Sequence, residues 1–201
     1  TAGGIYPALM GSIYLGALSA LIGGILGIGA AIYLVFYCTG KRFSGLVNMA
    51  ITGLSGIPSI LFGLVGYTLL IYRFGLSRSL LCSSLCVAAM IIPFVAIRAK
   101  KILDEKGREY MKTSLSLGLS REYALRKMIL PACFVELLGT VALGMAYGMG
   151  AVAPILYTGA VMQADVPHSL SDPFMSLPYH LYILVNNGFS LDYAYGTAFV
   201  L

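Results

Sequence analysis

Residues 8–37 of this 201-residue chain form a run of thirty without a single charged side chain. A surface helix of a soluble protein needs a polar face, and this run has none of useful width. About 20 apolar residues cross a bilayer, and thirty fall short of two crossings and a turn. Residues 8–37 therefore read as one long or tilted spanning helix, entered past Gly3, Gly4 and Pro7 and closed by Lys41 and Arg42. The whole chain agrees: 59% of its residues are hydrophobic and 10% charged, against roughly 25% charged in an ordinary soluble domain. There is too little charge to clothe a soluble core.

The expected fold class is all-α, a polytopic membrane bundle. Further spans are expected over residues 46–72, 79–97 and 128–155, and a fifth apolar segment starts near Asp192 and stops at Leu201. The chain begins at Thr1, not Met, so both ends are expected to be cut from a longer protein. Pro58 sits inside the second span, where it kinks or breaks a helix, and such a break is tolerated only against protein or water. Pro58 and the adjoining Ser59 thus mark a protein- or cavity-facing position. Gly23/Gly27 and Gly144/Gly148 are GxxxG pairs that let helix backbones approach closely. Cys38, Cys82, Cys86 and Cys133 have no ligand pattern around them and read as small packing residues. Glu136 is the one acid inside a span, a functional candidate by default, although partial solvation or pairing also explains it.

Charge then sets the topology. Nine of the thirteen Lys and Arg residues lie in 97–131, and none lies in 159–187. Basic loops stay on the cytoplasmic side. The first loop is therefore placed inside and the second outside, with Lys41 and Arg42 inside and Thr1 and the Arg73/Arg78 turn outside. The net charge of +5 reflects this retention, and no nucleic-acid partner is expected. Within 97–131, Gly118 can end one helix and Ser120 can cap the next. Two short helices at an angle, either lying at the membrane surface or presenting their apolar positions to a docking partner, are the expected product. His168 and His180, twelve apart without a carboxylate or Cys pattern, read as surface or interface residues, and no metal site is expected.

The run LGLSREYALRKMILP, ending at Pro131, resembles the second half of the coupling loop of ABC-transporter permeases. Four further stretches, GGIYPALMGSIYL, GIPSILFGLVGY, APILYTG and DPFMSLPYHLYIL, resemble the A-type permease subunit of the phosphate-specific transport system, in order and over essentially the whole chain. The resemblance implies a MetI-like ABC permease helix bundle. It would form a single transmembrane domain over 1–201, with a cytoplasmic coupling loop at about 98–128 and an outer loop at about 159–190. It implies a multi-pass subunit of the plasma or inner membrane, surrounded by lipid, that works with a second permease, a cytoplasmic ATPase dimer and an extracytoplasmic phosphate-binding protein. The chain has no GxxxxGK[ST] phosphate loop, so ATP would be used by the partner, with no catalytic residue and no cofactor on this subunit.

Coupling contacts are expected at Lys112, Thr113, Ser114, Gly118, Leu119, Ser120 and Pro131. The translocation path is expected at Pro58, Ser59, Glu136, Tyr147 and Ala151. Two departures stand out. Lys112-Thr113-Ser114 replaces the family's usual Glu-Ala-Ala, and Tyr147 and Ala151 stand where an Arg and a Glu are common. A desolvated anion needs donors or positive charge. The expectation is a divergent phosphate permease whose partner supplies those groups. The alternative is a paralogue that moves another substrate or serves as a non-conducting assembly or signalling subunit.

Overall fold

A computed structural model describes residues 4–188 and 191–201. Thr1 and Gly3, expected outside and at the helix entry, fall outside the described residues. Eight helices are described: α1 Tyr6–Tyr37, α2 Lys41–Ser55, α3 Ser59–Arg73, α4 Leu80–Ser116, α5 Arg121–Met149, α6 Ala153–Thr158, α7 Leu177–Asn186 and α8 Leu191–Val200. The described residues contain one isolated parallel bridge, between Ala160 and Phe174. Helices α1, α4 and α5 are each long and apolar enough to cross a membrane, and α2 with α3 would make a fourth, broken span.

α4 is the centre of the bundle. In its most apolar stretch 67% of residues are buried, against 44% for α1 and 28% for α5. Its neighbours come close because each offers glycine. An added Cβ at Gly23 of α1 would lie 3.0 Å from Ile91 Cγ2, and at Gly27 it would lie 2.9 Å from Val95. From the other side, a Cβ at Gly144 of α5 would lie 2.9 Å from the same Ile91 Cγ2, and at Gly148 2.8 Å from Ile91 Cδ1. Both GxxxG pairs therefore pack on one stripe of α4, Val87, Ile91 and Val95, and all three side chains are fully buried. Helix association in lipid rests on such close van der Waals packing.

Several boundaries differ from the sequence reading. The second span is not one continuous helix. α2 and α3 meet at 98°, because Pro58 is extended (ψ 134°) at the N-cap of α3 and the residue before a proline avoids helical backbone. The third span does not stop at residue 97. It runs on to Ser116, its charged continuation supported by Arg108–Asp104 (2.6 Å) and Lys101–Glu105 (3.9 Å), both one turn apart. The fourth span starts at Arg121 and ends at Met149, not Ile155. Gly150 follows, and Pro154 opens the separate helix α6. Pro131, expected as a coupling contact inside the span from residue 128, lies within α5. The helix widens to a π turn over Leu125–Ile129 just before it, which absorbs the hydrogen bond that proline cannot make. Among the described residues no pair of surface helices forms. The charged stretch is instead the ends of two long helices joined by a tight turn.

The fifth apolar segment is the ten-residue helix α8, joined to α7 where His180 Nδ1 lies 3.2 Å from Thr197 Oγ1. Burial holds the His180 imidazole below its ordinary range.

Gly27→Ala should lower the thermal midpoint of the chain in lipid nanodiscs, since overpacking costs about 1–3 kcal/mol. Gly29→Ala, on the same helix with nothing within 4 Å of an added Cβ, should leave the midpoint unchanged. Equal shifts would show that the glycine stripe is not what seats α1.

Candidate functional site

The turn between α4 and α5 is built by the sequence SLSLGLSREY. The N–H of Leu119 donates to Ser114 O (3.1 Å) and that of Gly118 to Leu115 O (3.0 Å), closing a Schellman turn. Gly118 has φ +76°. A Cβ there would meet nothing within 4 Å, so its need is for left-handed backbone and not for room. Ser120 then caps α5, its Oγ accepting the Tyr123 N–H at 3.3 Å. Gly118 and Ser120 thus play the parts expected of them.

Around this turn Lys112, Thr113, Ser116, Leu117, Gly118 and Ser120 are exposed, and Leu119 is half-buried. Ser114 turns inward: it is fully buried, donating to Tyr110 O (2.7 Å) and lying 3.1 Å from Met128 Sδ. Leu117 is 70% and Leu115 45% exposed, so the tip of the turn is apolar and flanked by Lys112. Behind it, Phe36, Leu103, Met111, Ala124, Leu125 and Ile129 belong to one buried cluster that ties α1, α4 and α5 together.

The expected path residues divide into two places. Glu136 accepts from the Lys106 ammonium, tying α5 to α4; pairing accounts for its presence on a span. Tyr147 stacks on Phe94 of α4 (centroids 5.8 Å apart, 24° between planes). The guanidinium of Arg98 lies 5.5 Å from the centroid of the same Phe94 ring. These three side chains line a cavity of about 190 Å³ with Ser55, Ile57 and Pro93, beside the break at Pro58 and Ser59. Ala151 packs against the cluster around Ile91. Arg98 was missed among the nine basic residues of the loop. Its signal was the spacing to Phe94: four residues on a helix put both on one face. Among the described residues Arg98 forms no ion pair.

At the opposite end of the bundle, the loop 159–176 closes over the start of α4. The first N–H groups of α4, which have no partner within the helix, donate outward: Ser79 to Thr158 O, Leu80 to Asp172 O and Leu81 to Leu170 O, at 2.9–3.0 Å. Asp172 accepts from the N–H groups of His168 (3.0 Å) and Ser169 (2.8 Å). Phe174 is fully buried, Ser176 caps α7 through the Tyr179 N–H, and the Leu177 N–H donates to Ser12 Oγ of α1 at 2.8 Å. The other distinctive stretches meet one another here. A Cβ at Gly63 would lie 2.9 Å from Pro154 Cα, and one at Gly66 would run into Cys86.

Comparison with known proteins gives a consistent picture. Residues 23–171 match the family described as binding-protein-dependent transport system inner membrane component. The phosphate transport system permease protein PstA 2 of Mycobacterium bovis is 31% identical over 202 residues, covering 99% of this chain and 67% of that protein. The protein of Methanocaldococcus jannaschii named "Probable phosphate transport system permease protein PstA" is 29% identical, covering 99% of this chain and 71% of its own length. PstA 1 of Mycobacterium tuberculosis is 28% identical over 190 residues, and the chain spans 61% of it. A chain of the MetNI methionine ABC transporter, solved in inward-facing conformations, superposes with a TM-score of 0.70 at 15% identity, over 98% of this chain and 85% of that one. That likeness shows the fold: a MetI-like helix bundle.

Asp172→Ala should leave the His168 and Ser169 amides without their acceptor. Hydrogen bonds to charged groups contribute about 1.5–3 kcal/mol, so amide exchange at Ser169 should quicken by roughly tenfold or more, with the amides of α4 beyond its first turn unaffected. Unchanged exchange at Ser169 would remove Asp172 from its organising role.

Proposed function

The chain belongs to the family of binding-protein-dependent transport system inner membrane components, and from that membership we propose that it moves phosphate as one permease subunit of an ATP-driven importer. It sits as a multi-pass protein in the plasma or inner membrane. A second permease completes the path, a cytoplasmic ATPase pair supplies the energy, and an extracytoplasmic phosphate-binding protein delivers the cargo. The observation that carries the reading is the convergence of α4 and α5, the core spanning helix and its neighbour, on one exposed apolar turn at the basic end. Such a tip suits a groove on the ATPase, and the two helices make any push on it a movement of the spans. Lys112 gives this contact a cation where the family resemblance implies an acid, so the ATPase is expected to present an acidic group there.

For phosphate itself, the support is the likeness to proteins named as phosphate permeases together with Arg98. A phosphate that leaves water needs charge-assisted donors, and Tyr147 supplies no charge. Arg98, one ring away across Phe94, carries a positive charge on the same cavity wall. The second reading, another substrate or a non-conducting subunit, is favoured by the Tyr147 ring, which fills the place next to Phe94.

Cells lacking their own permease subunit, given this chain with its partner permease, ATPase and binding protein, should regain phosphate uptake. Assembly without uptake would favour the second reading. Arg98→Ala should lower uptake by about tenfold or more, the scale of a lost charged hydrogen bond, while Arg98→Lys retains part of it; full activity of Arg98→Ala would take that residue off the path. Gly118→Val forces a β-branched side chain into left-handed backbone, a strain of about 1–3 kcal/mol. It should raise the ATP hydrolysed per phosphate moved, and an unchanged ratio would count against the turn as the docking site.

A further inference from the structure

At the basic end, α1 closes against the α4–α5 turn through two contacts. The Arg121 guanidinium, first residue of α5 after the Ser120 cap, donates through Nη1 to Phe36 O at 3.3 Å. Phe36 belongs to the last turn of α1, where carbonyls lack helical partners and the helix end carries partial negative charge. A cation is favoured there. The Phe36 ring, 9% exposed, reaches the opposite side of the turn. An added Cβ at Gly107 of α4 would lie 2.9 Å from Phe36 Cζ, with Ile129 Cγ2 of α5 at 3.2 Å. One residue of α1 is thus held by its carbonyl to the start of α5 and by its ring to the continuation of α4.

At its other end α1 is seated just as specifically. Ser12, fully buried, accepts the Leu177 N–H at 2.8 Å. Gly11 presses against the backbone carbonyl of Met175, where no side chain could fit. Between these seats, Ser12 and Phe36, α1 runs without a break, α-helical to Ile32 and closing in a π turn over Tyr33–Tyr37, about 36 Å at 1.5 Å per residue. Gly23 and Gly27 keep it flush against α4 along the way.

We infer that α1 is a connecting rod that links the α4–α5 turn to the 174–177 segment at the opposite face, with Arg121 and Phe36 as its seat at one end and Ser12 as its seat at the other. Arg121 acts here as a positioning residue. It touches no cargo, and it makes a displacement of the turn a displacement of the far segment. The inference rests on the importer reading, in which the turn faces the ATPase and the loop 159–176, anchored by the buried segment 174–177, lies on the side of the binding protein.

The experiment uses the complete transporter in proteoliposomes and the ratio of its ATPase rates with and without phosphate-loaded binding protein outside. Arg121→Met should cut that ratio by about fivefold, within the range by which residues between two sites alter coupling. Arg121→Lys, which keeps a cationic donor, should retain most of it. Ser12→Ala should cut it comparably, and the double variant should lose no more than the worse single one, since residues acting through one element are non-additive. If Arg121→Met fails to assemble, Gly107→Ala displaces the Phe36 ring and tests the same seat. A ratio unchanged in Arg121→Met and Ser12→Ala, or losses that multiply in the double variant, would overturn the rod. A complex of the unaltered chain that assembles but shows no stimulation would instead overturn the importer reading.

Discussion

The fold depends on how closely two helices approach a third. Ile91 meets Gly23 of α1 on one side and Gly144 and Gly148 of α5 on the other. In lipid the surrounding acyl chains are as apolar as Ile91 itself, so burial alone favours no particular neighbour. What selects the arrangement is shape: an unsubstituted backbone accepts a branched side chain at a distance no Cβ would allow. With α4 gripped in this way over Val87, Ile91 and Val95, its two ends become reference points. One carries the charged extension towards Ser116, and the other presents unpaired N–H groups to the loop 159–176.

The extension gains its stiffness differently. Beyond residue 97 the helix leaves apolar sequence and is held by ion pairs along its own face, by the Lys106–Glu136 pair across to α5, and by the buried cluster behind the turn. Exposed pairs of this kind each contribute little. The cluster around Leu103, Met111 and Ile129 carries most of the cohesion, and the charges keep the outer faces wet. Lys100 adds a further tie, donating to Asn48 Oδ1 of α2 at 2.9 Å. The amphipathic helix after the first span is thereby fixed to α4 as well.

Much of this was legible in residues 1–201. The charge-free run predicted α1 closely, the GxxxG pairs predicted close packing, and Gly118 and Ser120 predicted the turn. What failed were boundaries set by hydropathy. Residue 97 looked like an end because charge begins there, yet no breaker stands between Ile97 and Ser116 except Gly107, which packs on Phe36. Pro131 was expected among the coupling contacts, but it lies in the first turns of α5 behind a π turn over Leu125–Ile129. Glu136 looked exceptional until its partner Lys106, thirty residues away, came into view. Such partners are invisible to any local pattern, and so is the link from Arg121 to Phe36. Arg98 was hidden for another reason: counting it as loop charge concealed that it shares a helix face with Phe94.

The stretches that carried the family resemblance turn out to be joints of the scaffold. GIPSILFGLVGY sets Gly63 on Pro154 and Gly66 on Cys86. APILYTG buries Thr158 and leaves Gly159 too close to Ser79 for any side chain. DPFMSLPYHLYIL caps the loop with Asp172, plugs it with Phe174, caps α7 with Ser176 and fastens Leu177 to Ser12. Each residue is explained by packing or by a backbone group that must be satisfied, and none needs a cargo. Similarity in these stretches is evidence about architecture before it is evidence about cargo, so the cargo reading also needs a surface that could hold one. Under the proposed reading, that surface would be the cavity beside the Pro58 break, where Tyr147 and Phe94 stack and Arg98 carries the charge. The scaffold holds α4 and α5 in fixed register, so a cation one turn beyond Phe94 on α4 reaches the same wall as a residue at position 147 on α5. In a bundle packed this tightly, a charge lost from one helix can be supplied from its neighbour without any change of fold.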